Sequence, residues 1–226
     1  LAGFDEAERV APEDMPELER WVLHRLAELD REVREGYARF DYDGVVQKLF
    51  HFCTVDLSAV YFDIRKDALY CDPADALRRR ACRTVLDLLF HRLTAWLAPI
   101  LVFTMEEVWL ARFPSEDDSI HLHDFPATPE TWLAPDLAAR QARLREARRV
   151  VTGALEVERR EKRLGASLEA APVIHLADPA LRAEVEAADF SELCIASAVT
   201  VTDAEPPADA FRLDDVPGVA VVPARA

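Results

Sequence analysis

Lysine is nearly missing from this sequence. Of its 27 basic residues only Lys48, Lys66 and Lys162 are lysines, and 42 acidic residues bring the net charge to −15. A protein that holds polyanions by its overall field needs the opposite balance, so any contact with nucleic acid has to be a local patch. Arginine and alanine in place of lysine point to a GC-rich genome rather than to special chemistry. Cysteine is scarce too: Cys53, Cys71, Cys82 and Cys194 include no pair at C-x-x-C spacing. That removes the spacing signature of a structural zinc site. Lone cysteines inside helical patterns act as small apolar residues, which fits a reducing cytosol better than a disulfide framework. There is no apolar run of membrane-spanning length and no charged-then-apolar leader. A Gly-rich phosphate loop is also missing, and no serine or cysteine has the local context of a nucleophile. No internal repeat is evident. The first residue is not Met and lies in a polar, acidic stretch, the expected look of a piece from a longer chain.

What is present is apolar patterning. Half of the 226 residues are hydrophobic, too many for a disordered chain and enough for a large domain or a domain with an appendage. From Pro16, the residues Leu18, Trp21, Val22, Leu26, Leu29, Val33, Tyr37 and Phe40 recur at three- and four-residue steps and predict one helix. "FDYDG" breaks the pattern, with Asp43 as the expected cap of a second helix. That helix carries Val46, Leu49, Phe50, Cys53, Leu57, Val60 and Ile64 on its apolar face and runs to about Tyr70. Asp72 as cap and Pro73 at the first helical position predict a third helix, through Leu77, Ala81, Leu88, Leu89, Leu93, Trp96 and Leu97. Pro99 ends it or starts a short fourth. Residues 114–135 read as a long ordered loop with a short extended core at Ile120 to His123. A fifth helix spans about Asp136 to Arg163, with nine basic and four acidic residues from Arg140 to Arg163.

Beyond Lys162 the pattern changes. "APVIHLA", "CIASAVTVT" and "FRLDDVPGVAVVPA" read as strands, and Asp178 caps a helix between the first two. The fold class is therefore mainly α: a helical bundle over residues 1–165 followed by a small α+β domain over 166–226.

Several stretches carry a resemblance. "LAPILVFTMEEVW" (Leu97 to Trp109) and "SIHLHDFP" (Ser119 to Pro126) resemble the anticodon-binding domain of class I aminoacyl-tRNA synthetases for Ile, Val, Leu and their relatives. "FDYDGVVQKLFHFCTVDLSAVYFDIRKDALYC" (Phe40 to Cys71) and "EKRLGASLEA" (Glu161 to Ala170) narrow the likeness to bacterial isoleucyl-tRNA synthetases. The likeness covers essentially the whole chain. The family's H-x-G-H and K-M-S-K-S signatures are not here, nor the Rossmann sheet that carries them. Nor is the spacing of its cysteine-rich zinc module, expected just past Ala226. The resemblance thus implies an anticodon-binding section joined to the start of a C-terminal junction domain, without catalytic residues, metal or cofactor of its own. It implies tRNA-Ile and the rest of a cytoplasmic synthetase chain as partners, no membrane, and a parent enzyme that uses ATP, magnesium and zinc.

An anticodon offers unpaired bases for stacking and edge reading, and its stem offers phosphates that position without specifying. Candidate cations fall in three groups. Arg65 and Lys66 lie in "VYFDIRKDALY", where a core helix with a charge-balanced rim is the stronger reading and RNA contact the alternative. Arg78, Arg79 and Arg83 open the third helix, where positive charge is mildly unfavourable unless used. Arg145, Arg148, Arg149, Arg160, Lys162 and Arg163 lie on the fifth helix, where pairs such as Glu156–Arg160 would make an ordinary ion-laced face. His121 and His123 make at most a two-ligand metal site. The carboxylates of Glu106 and Glu107 point about 100° apart on a helix and do not form an acid–base dyad. A valyl-type synthetase domain and a helical protein–protein module are the competing readings, with a free-standing enzyme behind them.

Overall fold

The computed structural model describes residues 3–226. The chain packs as two compact units, the first reaching to Pro135 and the second covering Asp136–Ala226. Mainly helical structure with one small sheet matches the fold class expected from sequence.

In the first unit, α1 (Glu17–Ala38) buries Leu18, Trp21, Val22, Leu26, Leu29 and Val33, the stripe its spacing predicts. The helix ends two residues before Phe40. Asp41 N–H bonds Gly36 O at 2.9 Å and Phe40 N–H bonds Tyr37 O at 3.1 Å, a Schellman cap with Phe40 left-handed at φ 59°. Phe40 therefore leaves the apolar face and stands exposed. The next helix, α2 (Tyr42–His51), is capped by Asp41, which accepts from Gly44 N–H, and not by Asp43. It packs closely on α1: a Cβ on Gly36 would sit 2.5 Å from Val45 Cγ2.

The same helix then widens. Phe52–Phe62 winds with π turns before α3 (Asp63–Tyr70) resumes the α form. The expected stripe is only partly realised: Leu49, Leu57, Val60 and Ile64 are buried as expected. Val45, Leu49 and Phe52 are buried, whereas Val46 and Phe50 are exposed and Cys53 is half-buried. Further on, the adjacent residues Asp56 and Leu57, Val60 and Tyr61, and Ile64 and Arg65 all turn inward. Longer i→i+5 bonds place more residues in each turn, so neighbours in sequence share the inner face.

α4 (Leu77–Leu97) begins after Ala76, so Asp72 and Pro73 lie in the preceding turn rather than capping it. Ala81, Cys82, Val85, Leu89 and Trp96 are its buried side. α5 (Val102–Arg112) follows, and Met105 and Trp109 pack with Ala95, Ala98 and Ile120. Ile120–Leu122 is a single 3-10 turn, not the extended segment expected. Ser119 caps it, and Glu106 accepts from Ser119 Oγ at 2.8 Å and from Ile120 N–H at 3.1 Å. The loop is tied down by Arg34, which donates to Pro126 O at 3.0 Å, and by Arg92, which donates to Ala127 O at 2.9 Å.

The second unit begins with α6 (Pro135–Arg160). Its Leu144, Ala147, Val150, Val151, Ala154 and Leu155 share one core with Ile174, Leu176, Val185 and Phe190. The pattern change near residue 165 and the packing boundary at Pro135 thus fall in different places, because α6 has its apolar face in the α+β core. The sheet has the order β2–β1–β3, from β1 (Val173–Leu176), β2 (Thr200–Thr202) and β3 (Val219–Val222). β2 is parallel to β1 and β3 antiparallel. A parallel neighbour needs a crossover, which α7 (Pro179–Ala187) and α8 (Phe190–Cys194) supply. Asp178 caps α7 as its position predicts.

Candidate nucleic-acid interface

The five cations proposed from the first unit have different fates. Arg65 is only 2% exposed. Its Nε and Nη2 hold the two carboxylate oxygens of Glu19 at 2.6 and 2.7 Å, and Tyr61 Oη donates to the same carboxylate at 3.1 Å. Burial pushes the Tyr61 hydroxyl and the neighbouring Cys82 thiol up, the latter to about 12, so both stay neutral beside this ion pair. Arg65 is therefore a structural residue, a correction to the expectation that it faces RNA. The wide turns upstream bring it inward. Lys66 is exposed and reaches Asp63 Oδ1 at 2.9 Å. Arg78 clasps the Asp72 carboxylate at 2.7 and 2.9 Å, and Arg79 donates to Asp72 O at 2.6 Å. Arg83 grips Glu8 at 2.6 and 3.1 Å. The basic opening of α4 thus neutralises the N-terminal segment and the α3–α4 turn.

The second unit sorts its own six. Arg148 donates to Leu193 O at 2.5 Å, Arg149 to Asp215 at 2.6 Å, and Arg145 is half-buried. Arg148 and Arg149 secure α6 within its unit. At the C-terminal end of α6, Arg163 is held by both oxygens of Glu158 at 2.6 Å and by Glu161. The hydrogen bond from Arg163 holds the Glu158 carboxyl below its ordinary range. Arg160 and Lys162 differ from the rest: both are exposed, and neither side chain has a partner among the described residues. The expected Glu156–Arg160 pair does not form, since Glu156 takes Arg159 at 2.5 Å.

Lys162 stands at the left-handed position (φ 58°) of another Schellman cap, closed by Arg163 N–H to Glu158 O at 2.9 Å. Glycine usually fills that position, because a Cβ there costs about 1 kcal/mol. Lys162 thus combines a left-handed backbone with an exposed side chain.

A group of exposed aromatic residues has no counterpart among the candidates drawn from spacing. Phe40 and Tyr42 stand at the α1–α2 turn, and Phe103 opens α5. Periodicity assigns Phe40 to the core; the signal that separates it is the "RFDYDG" break itself, which puts Phe40 past the helix end. His121 bonds Val102 O at 3.1 Å and His123 bonds Asp118 at 2.8 Å, so they do not converge. No group of three His, Cys, Asp or Glu side chains fit for a metal occurs among the described residues. No described helix is long and apolar enough to cross a membrane.

The family described as "Anticodon-binding domain of tRNA ligase" matches residues 19–175, and the chain belongs to it. Among curated proteins, the isoleucine–tRNA ligase of Ruegeria pomeroyi is 60% identical over 98% of this chain and 23% of its own length. That of Brucella abortus is 54% identical over 99% of the chain, and that of Caulobacter vibrioides 52% identical over all of it. In each case the chain spans 23% of the relative's length.

Proposed function

We propose that this chain is the anticodon-binding section of an isoleucine–tRNA ligase. It grips the anticodon arm of tRNA-Ile so that a catalytic domain outside these residues can attach isoleucine in an ATP-dependent reaction in the cytoplasm. Residues 1–165 are then the anticodon-binding domain and 166–226 the start of a junction domain. The family match supports this, and the observation that carries it to particular residues is a pair of neighbouring unpartnered cations, Arg160 and Lys162, at the end of the cationic helix of a chain at −15. Phosphate contact by side chains already committed to Glu8, Asp72 or Glu158 would require breaking those bonds first. Lys66, with one exposed ion pair worth little, is a further cation able to turn to RNA at small cost. The magnesium and zinc expected of the parent enzyme find no converging ligand set among the described residues, so no step here runs through them.

The double substitution Arg160→Gln with Lys162→Gln tests the reading in the full-length protein. For every phosphate no longer neutralised, the log–log salt dependence of tRNA binding should become shallower by about one unit. Melting should be unchanged, because neither side chain has a partner to give up. If tRNA affinity and salt slope both match those of the unaltered protein, this helix end does not contact the tRNA.

A further inference from the structure

The geometry points to a base-stacking platform at the end of the helical bundle formed by the α1–α2 turn, with Phe40 as its outer face. The inference rests on the RNA-binding reading above and goes beyond its cations to the unpaired bases.

Phe40 is 76% exposed and occupies the C′ position of the α1 Schellman cap. Two costs coincide there. The left-handed conformation disfavours any residue with a Cβ, and an exposed phenyl ring forgoes burial. Glycine would avoid both. Ile195 has the same conformation at the end of α8, but it is partly buried, so packing offsets its strain. Among the described residues of the first unit nothing offsets Phe40 in that way: its ring meets Tyr42 edge-on at 6.4 Å and otherwise faces solvent.

Behind Phe40 the rings are fixed. Tyr42, 47% exposed, lies edge-on to Tyr37 at 5.7 Å, and Tyr37 packs on Phe125 at 5.5 Å. Tyr37 Oη donates to Trp96 O at 2.5 Å, which locks the C-terminal ends of α1 and α4 together. Burial pushes that hydroxyl up to about 12, so it remains a donor. The platform is thus an outward ring on a rigid ladder, held at low entropic cost before any ligand arrives.

Its surroundings suit a nucleobase, which has an apolar face and a polar edge. Gln47 and Asp43 are joined at 2.7 Å and exposed on the first turns of α2. Arg39, next to Phe40, has a long ion pair to Glu35 at 3.9 Å and can reach a phosphate. A protein partner would need a continuous apolar surface, and here carboxylates and an amide interrupt the rings. Unpaired loop bases on an aromatic side chain are the occupant this mixture fits.

The test uses the full-length protein and tRNA carrying 2-aminopurine at unpaired anticodon-loop positions. Phe40→Gly should keep or raise the melting temperature, because it relieves the left-handed strain. It should also weaken tRNA binding by about five- to a hundred-fold, the range for one stacked base. Quenching of the probe on binding should fall, while the salt slope stays the same. Phe40→Leu keeps bulk without a π face and should weaken binding likewise. Full affinity in either variant overturns the platform while leaving the anticodon reading intact. A shallower salt slope in Phe40→Gly overturns it as well, since the contact would then be electrostatic. Failure of the unaltered protein to bind tRNA removes both readings.

Discussion

Replacing Arg65 with alanine should cost the helical unit about 3–5 kcal/mol, the range for removing one partner of a buried ion pair. The effect arises from what is left behind. Glu19 is fully buried, and its carboxylate would be left with Tyr61 Oη at 3.1 Å in place of the guanidinium fork. Urea unfolding read by tryptophan fluorescence would measure the effect, since Trp21 and Trp96 are in the same core. The double substitution Glu19→Leu with Arg65→Met should recover most of the stability, because well-packed apolar residues remove the need to desolvate two ions. The same experiment separates structure from RNA contact. If Arg65 acts only within the fold, tRNA affinity corrected for the folded fraction will be unchanged in Arg65→Ala. A direct RNA role would lower the corrected affinity and make the salt slope shallower.

The second large effect concerns Asp87 and acid. This buried carboxylate on α4 receives Arg9 at 2.8 Å and Arg112, with His91 at 3.6 Å. Burial alone would push its carboxyl up. The nearby His91 and hydrogen bonds from Arg9 and Arg112 reverse that and hold it well below the usual carboxylate range. A lowered folded-state pKa gives stability that is fully present above the unfolded value, near 3.9, and is lost as pH falls through it towards the folded value. Asp87→Asn should therefore destabilise the protein by about 1.5–3 kcal/mol at neutral pH, the scale of hydrogen bonds to charged groups. Its acid limb should be flatter than that of the unaltered protein below about pH 4. Thermal melts from about pH 7 down to about pH 2.5 would show both. An unchanged gap between the two proteins across that range would mean the carboxylate is not what ties Arg9 and α5 to α4.

The long helices and their order are legible from spacing, because most buried positions in α1, α4 and α6 follow α-helical steps, whereas α8 is not: "CIASAVTVT" reads as a strand, yet Cys194 ends α8 and strand pairing begins only at Thr200. Three further things are not legible. The π winding of Phe52–Phe62 leaves no mark in a pattern read at 3.6 residues per turn, so that pattern puts Arg65 outside. Ion pairing at long range is invisible too: nothing near Arg83 announces Glu8, and nothing near Arg65 announces Glu19. Composition identifies the cationic helix, but only geometry separates Arg160 and Lys162 from neighbours already paired.

The widened stretch from Phe52 to Phe62 also bears on how this helix can vary in length. In an ordinary α-helix, deleting one residue rotates everything downstream by about 100°, and the buried face is misdirected. A π segment already holds more residues per turn than that form requires. Shortening within it moves the winding towards the commoner form, and the strain of the gap falls on local hydrogen bonds instead of on the partners of Glu19 and Asp56. Deletions therefore have a natural place to be absorbed between two anchored ends, Val45 against Gly36 and Arg65 against Glu19.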